Sequence, residues 1–169
     1  ESDFEIEARD HEVLSALPYT SPLEAKLGYA LADTKIYFAS EGVIVEERVR
    51  GVALKDLFPE SGRFTLDEVV AAGFLGEASN EAYASYQAMD QTEIHQILRD
   101  HLLHQIFVDG VFHADLHQGN VMVTPDRKIY MIDRGNVGAL NPRQRQGAKD
   151  IIAGMSLKDA GRIKQGIDA

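Results

Sequence analysis

Apolar positions along this chain recur with two different periods, and each period marks a kind of element. In "DFEIEARDHEVLSAL", Phe4, Ala8, His11 and Leu14 return at steps of three and four, which predicts a helix stopped by Pro18. "KIYFAS" and "GVIVEERV" predict two strands joined by a tight turn at Glu41-Gly42. "ALKDLF" predicts a short helix ending at Pro59. "TLDEVVAAGFLGEASNEAYASYQAM" predicts a longer helix weakened by Gly73 and Gly76. The strongest helical signal is "DQTEIHQILRDHLLHQIFVDG". Asp90 and Glu93 form a D-x-x-E cap, Ile94, Leu98, Leu102 and Ile106 form the apolar stripe, and Gly110 closes the element. "NVMVT" and "KIYMID" predict short strands about a Pro125-Asp126 turn, and "NPRQRQGAKDIIAGM" and "SLKDAGRIKQGI" predict two terminal helices. The order lacks the strand–helix alternation of a parallel sheet. It predicts an α+β fold, with helices around small antiparallel ribbons.

Composition narrows the class. A chain of 169 residues suffices for one domain or for part of a larger one, and 44% hydrophobic with 26% charged residues is the balance of a soluble globular protein. The absence of cysteine excludes disulfides and thiolate metal sites and agrees with a reducing compartment. No apolar run approaches the length of a membrane span and no signal peptide is visible, so the expectation is a cytoplasmic protein. The chain begins at Glu1 without Met and is expected to be excised from something longer. The formal charge of −10 argues against nucleic acid as a partner. That charge is uneven, because residues 60–100 hold eight acids and two bases, whereas residues 141–169 hold three acids and six bases. Such a basic tail is more often a solvated face than a lipid-binding one, so association with a membrane surface is the lesser expectation.

The chemistry concentrates in "FHADLHQGNVMVTPDRKIYMIDRGNVG". His113-x-Asp115 is followed by Asn120, and Asp133 ends the next strand pair. Phosphoryl transfer needs one carboxylate to accept the proton of the attacking hydroxyl, and an Asn with a second Asp to hold Mg²⁺ on the nucleotide phosphates. The step from Asp115 to Asn120 lets one loop present both, and the hairpin from Val121 to Ile132 returns the chain so that Asp133 faces the same place. A plain polar turn would also use Asp, Asn and Gly for backbone reasons. The Asn at this spacing, the flanking apolar strands and the following Asp-x-Gly favour the chemical reading. Zinc held by His113, Asp115 and His117 suits the residues less well, because Asn is a poor zinc ligand.

"DGVFHADLHQGNVMV" and "IYMIDRGNVGAL" resemble the UbiB/AarF (ADCK-like) family of atypical, protein-kinase-like ATP-binding proteins. "VIVEERVRG" is similar to that family's strand-and-hinge segment, "ESDFEIEA" to its E-x-D-x-x-x-E-A helix, and "LNPRQR" to the start of a downstream helix. The resemblance runs from end to end in the right order. It implies a kinase-like fold in which residues 1–50 are the end of the N-terminal lobe and the hinge. Residues 51–169 would be a mostly helical C-terminal lobe with short antiparallel hairpins. It implies ATP and Mg²⁺ as cofactors and a phosphoryl acceptor that is lipid-like or a protein, in quinone or isoprenoid-lipid metabolism. By the resemblance, Asp115 is the proton acceptor within the His113–Asn120 loop, and Asn120 and Asp133 bind the metal. Glu7 is the helix carboxylate that pairs with a nucleotide-binding Lys, Glu1 and Asp3 are the acidic pair near the nucleotide, and the backbone around Glu47 to Val49 touches adenine.

Three departures stand out. Arg134 replaces the family's Phe after the metal-binding Asp, and Leu116 and Gln118 replace the loop prolines. A buried Arg needs a carboxylate partner. The family's nucleotide loop, its strand Lys and its K-x-G-Q segment would all precede the E-x-D helix with which this chain begins. Glu7, on the inner stripe of its helix, is then either missing a cation supplied by a preceding segment or exposed. The expectation for Arg134 is a surface ion pair or a partner contact, with a swing toward the phosphates as the alternative. Two other functions compete with an atypical kinase or ATPase. One is a small-molecule phosphotransferase resembling aminoglycoside and choline kinases, which also use H-x-D-L-H-x-x-N loops. The other is a non-catalytic pseudokinase that binds nucleotide or a partner.

Overall fold

The structure is a computed structural model that describes residues 4–17, 19–58, 68 and 80–169. Glu1, Asp3, Pro18, Pro59, Gly73, Gly76 and most of the long helix expected between 65 and 89 lie outside those residues. The described elements are α1 (Phe4–Ser15), α2 (Pro22–Leu27), β1 (Ala30–Ala32), β2 (Ile36–Ser40), β3 (Val43–Glu46), β4 (Val52–Ala53), α3 (Leu54–Leu57), α4 (Asn80–Gln87) and α5 (Gln91–His104). They continue with β5 (Val111–His113), β6 (Val121–Val123), β7 (Lys128–Met131), β8 (Val137–Ala139), α6 (Pro142–Leu157) and α7 (Ala160–Ile167).

Local chemistry accounts for many of the ends. Ser21 and Glu24 make a reciprocal capping box at α2, which Gly28 ends in the left-handed region at φ 71°. The Asp90 carboxylate accepts from the backbone amides of Thr92 and Glu93, as its D-x-x-E pattern requires. The helix then widens into a π-turn, Gln105–Asp109, which Gly110 closes at φ 77°. Pro142 sits in the first turn of α6 behind an Asn141–Gln144 capping box. Gly147 of α6 and Gly166 of α7 bring those helices together, since a Cβ on either would stand under 3 Å from the other's carbonyl oxygen.

Two expectations change. The ribbons are not all antiparallel: β1, β7, β6 and β4 form one mixed four-stranded sheet in that order. β1 runs parallel to β7, pairing Ala30 with Lys128 and Ala32 with Tyr130. A three-residue Ala-Leu-Ala strand has no local pattern, so its pairing across nearly a hundred residues is a tertiary choice. The buried face of α5 is also rotated. Ile94 and Leu98 are buried as expected, but Ile97 and His101 complete the face, with Gln105 beyond it, whereas Leu102 and Ile106 are half-buried. Hydrogen bonding lets His101 and Gln105 take interior positions that a polarity pattern assigns to solvent.

The core lies between that sheet and α3, α4 and α5. Leu54, Ile94, Ile97, Val123 and Ile129 are fully enclosed. Tyr86 of α4 reaches into it, donating to the Val123 carbonyl at 3.1 Å, and burial pushes its phenol well above the ordinary value. The β6–β7 hairpin is thus held on both edges and one face, which gives its mouth a fixed position.

Candidate phosphoryl-transfer site

The loop between β5 and β6 is held from within. The backbone amide of His113 donates to Gln105 Oε1 at 3.3 Å, and Gln105 Nε2 lies 3.0 Å from His101 Nε2. His113 Nδ1 accepts from the Asp115 amide at 3.3 Å. His113 is buried, and burial lowers its pKa, with the Ile132 carbonyl acting in the opposite direction. His113 thus ties the Gln105 side chain to the Asp115 turn, its backbone amide bonding the one and its Nδ1 the other. His117 Nδ1 accepts from the Gly119 amide at 3.0 Å, capping a short 3-10 turn, Gln118–Asn120. His113, Asp115 and His117 form no zinc cage. Among the described residues no three His, Asp or Glu side chains stand close enough to hold a metal by themselves.

Asn120 is buried, and its Nδ2 donates to the Asp115 carbonyl at 3.3 Å, which leaves Oδ1 as the acceptor. The Asp115 side chain is exposed at the surface of the loop. The Ile132 amide donates to the Asn120 carbonyl at 2.9 Å, and the Ala114 amide donates to the Asn136 carbonyl at 2.8 Å. The chain therefore meets the Ala114–Asn120 segment once before Asp133 and once after it. Beyond the second anchor, β8 pairs antiparallel with β5, setting His113 opposite Val137. Asp133 is exposed between these anchors in the left-handed region at φ 55°, a conformation Asp tolerates better than most residues. The three residues read from the spacing stand at one end of one hairpin.

Glu7 reaches the same place from α1. It is half-buried, and a Cβ on Gly135 would stand 3.1 Å from its Cγ. Its pKa is raised by burial first, then by the charges of Asp133 and Glu46. Glu7 is neither fully exposed nor paired with a cation in any contact the described residues make. Mg²⁺ prefers oxygen ligands and few of them from protein. The Asp133 carboxylate and Asn120 Oδ1 are oxygen donors of the kind such an ion takes.

Glu47 and Val49 fall elsewhere. With Arg48 and Arg50 they line a cavity of about 300 Å³ against Thr124, Pro125, Asp126 and Tyr130. That cavity lies toward the turn end of the hairpin and extends along β7 as far as Tyr130. At 3.3 Å per residue β7 spans about 13 Å.

Arg134 departs from its expectation. It is 3% exposed, so it is neither a surface pair nor turned toward Asp115. Its guanidinium bonds the Asp33 carboxylate, Ser15 Oγ at 2.9 Å and the Met131 carbonyl at 3.0 Å. Asp33 is the partner that a buried Arg demands, and nothing in "LADTK" marked it, because the contact spans 101 residues.

A carboxylate-bearing helix, a short ribbon, a helical body and a loop–hairpin unit in this order agree with a kinase-like fold. The chain belongs to the ABC1 atypical kinase-like domain family, whose model matches residues 1–167. Among its relatives is an uncharacterized protein of Synechocystis sp., 38% identical over 46% of this chain and 19% of the relative. An uncharacterized protein of Mycobacterium tuberculosis is 24% identical over 94% of this chain and 27% of its own length. A protein of Vibrio cholerae named "Probable protein kinase UbiB" is 26% identical over 76% of this chain and 20% of its own length. The matched segments thus span about a fifth to a quarter of these relatives. Among the described residues no helix is long and apolar enough to cross a membrane.

Proposed function

We propose that this chain carries the phosphoryl-transfer centre of an ATP- and Mg²⁺-dependent atypical kinase or ATPase. The observation that carries the reading is the double anchoring of the Asp133 segment on the Ala114–Asn120 segment. It gathers a free carboxylate, an amide oxygen and a second free carboxylate at the mouth of a buried hairpin. In this chemistry positioning and electrostatics supply nearly all of the rate.

In this reading Asp115, exposed and oriented through its own backbone by His113 and Asn120, accepts the proton of the attacking hydroxyl. Asn120 and Asp133 hold Mg²⁺, which when bound neutralises charge on the phosphates. Glu7 stands beside Asp133 as the helix carboxylate that would pair with a nucleotide-binding cation. The adenine end of the nucleotide lies toward Glu47–Val49, and the length of β7 is on the scale that separates a base from its terminal phosphate. Residues 1–50 and 51–169 then act as the two sides of the nucleotide cleft. The acceptor is a lipid-like molecule or a protein, and it is the resemblance to the UbiB/AarF family that suggests quinone or isoprenoid-lipid metabolism. The test is nucleotide binding and turnover by the intact protein with and without Mg²⁺. Magnesium-dependent binding, with turnover abolished in Asp115→Asn and binding retained, is the expected result. Nucleotide binding indifferent to Mg²⁺, or turnover unchanged in Asp115→Asn, refutes it.

A further inference from the structure

Arg134 follows Asp133 directly, yet the two side chains go opposite ways: Asp133 is exposed and Arg134 is buried. The three acceptors of its guanidinium come from three separate pieces of chain. Met131 ends β7, Ser15 ends the helix that bears Glu7, and Asp33 lies in the loop after β1. Between the backbone anchors at Ile132 and Asn136, the side chain of Arg134 is what fixes the intervening turn to the body of the protein. That turn holds Asp133 at positive φ, a state that persists when its surroundings determine it.

The pair is asymmetric. The Arg134 side chain is 2% exposed and that of Asp33 is 45% exposed. Both border a cavity of about 190 Å³, lined also by Tyr19, Glu24, His101 and Gln105. An apolar side chain at 134 could stay in place whatever happened at position 33. A guanidinium cannot, because it does not lose its proton and its burial is tolerable only with a counter-charge. Loss of the Asp33 charge therefore drives Arg134 outward, and Arg134 moves Asp133 with it.

We propose that Arg134 is a positioning residue and that its pair with Asp33 is an electrostatic latch. Closed, the latch aims the Asp133 carboxylate at Asn120 and clamps the end of α1 against the same turn. Open, it releases both. The inference rests on the proposed function for the meaning of Asp133 as a metal ligand, but the latch itself is a property of the fold.

The test uses the intact protein and three variants: Asp33→Asn, Arg134→Phe, and the two combined. Two quantities are read, the hydrogen exchange of amides 132–136 and the Mg²⁺ concentration that half-saturates nucleotide binding. Asp33→Asn is expected to speed that exchange at least tenfold and to raise the Mg²⁺ half-saturation about tenfold, the usual effect of losing a residue that orients a metal ligand. Arg134→Phe, which removes all three guanidinium bonds, is expected to speed the exchange and raise the half-saturation at least as much as Asp33→Asn. The double variant is expected to add nothing to it, since the two residues act as one unit. Unchanged exchange in Asp33→Asn overturns the latch. Faster exchange with unchanged Mg²⁺ half-saturation overturns the positioning role. If the wild type binds no magnesium nucleotide, the proposed function fails, and the exchange measurement still decides the latch.

Discussion

The β6–β7 hairpin and the β2–β3 ribbon are both short antiparallel pairs rich in β-branched and aromatic residues, the first turned by the four residues 124–127 and the second by the two residues 41–42. Val123 and Ile129 of the hairpin are completely enclosed, whereas Tyr37 and Phe38 of the ribbon are 60% and 56% exposed. Composition does not separate them. Neighbours do: the hairpin is flanked by β1 and β4 and covered by helices, while the ribbon is a two-stranded sheet by itself with α1 beside it. An alternating strand pattern thus sets which residues can pair, and the elements packed around it set whether the pairing is buried. The candidate site stands at the mouth of the enclosed pair, where a carboxylate can be held to the tolerance that chemistry needs.

The contrast predicts unequal costs. Ile129→Ala should destabilise the protein by about 2–4 kcal/mol, the loss typical of an enclosed aliphatic side chain that leaves a cavity. Denaturant unfolding of the intact protein reads this directly, and a loss under about 1 kcal/mol would break the comparison. Acid sharpens it on the hairpin side. His101 has its pKa lowered by burial first and by Arg134 second, with Glu24, Asp33 and Asp109 pulling the other way. A base with a depressed native pKa supports the fold above its ordinary value and withdraws that support as pH falls below it. Melting temperature should therefore drop as pH goes down from 6.5, and His101→Gln should flatten the drop.

Glu7 lies between the two regions, raised by burial, by Asp133 of the hairpin mouth and by Glu46 of the ribbon. A carboxylate with a raised native pKa supports the fold only while protonated, so at neutral pH the ionised Glu7 costs stability. Glu7→Gln should raise the melting temperature slightly at pH 7, with the gain vanishing below pH 4.5. A gain that persisted in acid would mean packing, not charge, is responsible. The smallest effect belongs to the ribbon, where Val43→Thr should stay within about 0.5 kcal/mol of the wild type.

What the sequence disclosed follows the same division. Asp90, Gly110, Asn141 and the Pro125-Asp126 turn announce their elements because capping and turn chemistry act within a few residues. That Asp115, Asn120 and Asp133 fall at one end of one hairpin was legible from spacing, since one loop and one hairpin suffice to bring them there. β1, the β5–β8 pair and the Arg134–Asp33 contact were not, because each joins segments that carry no local mark of one another. The rotated face of α5 was hidden for a related reason. Whether Gln105 is interior depends on the His113 amide it bonds, not on its own polarity.

The two ends of the hairpin supply the most direct test of the central claim. Asp126 at the turn has its pKa lowered by the Thr124 hydroxyl and by Lys128, and it is already satisfied by an ion pair at 2.9 Å. Asp133 at the mouth is exposed among carboxylates. Titration of nucleotide into the intact protein across a series of Mg²⁺ concentrations should show Asp133→Asn raising the half-saturating Mg²⁺ at least tenfold, while Asp126→Asn leaves it at the wild-type value. Equal behaviour of the two variants would contradict the assignment of the metal to the hairpin mouth.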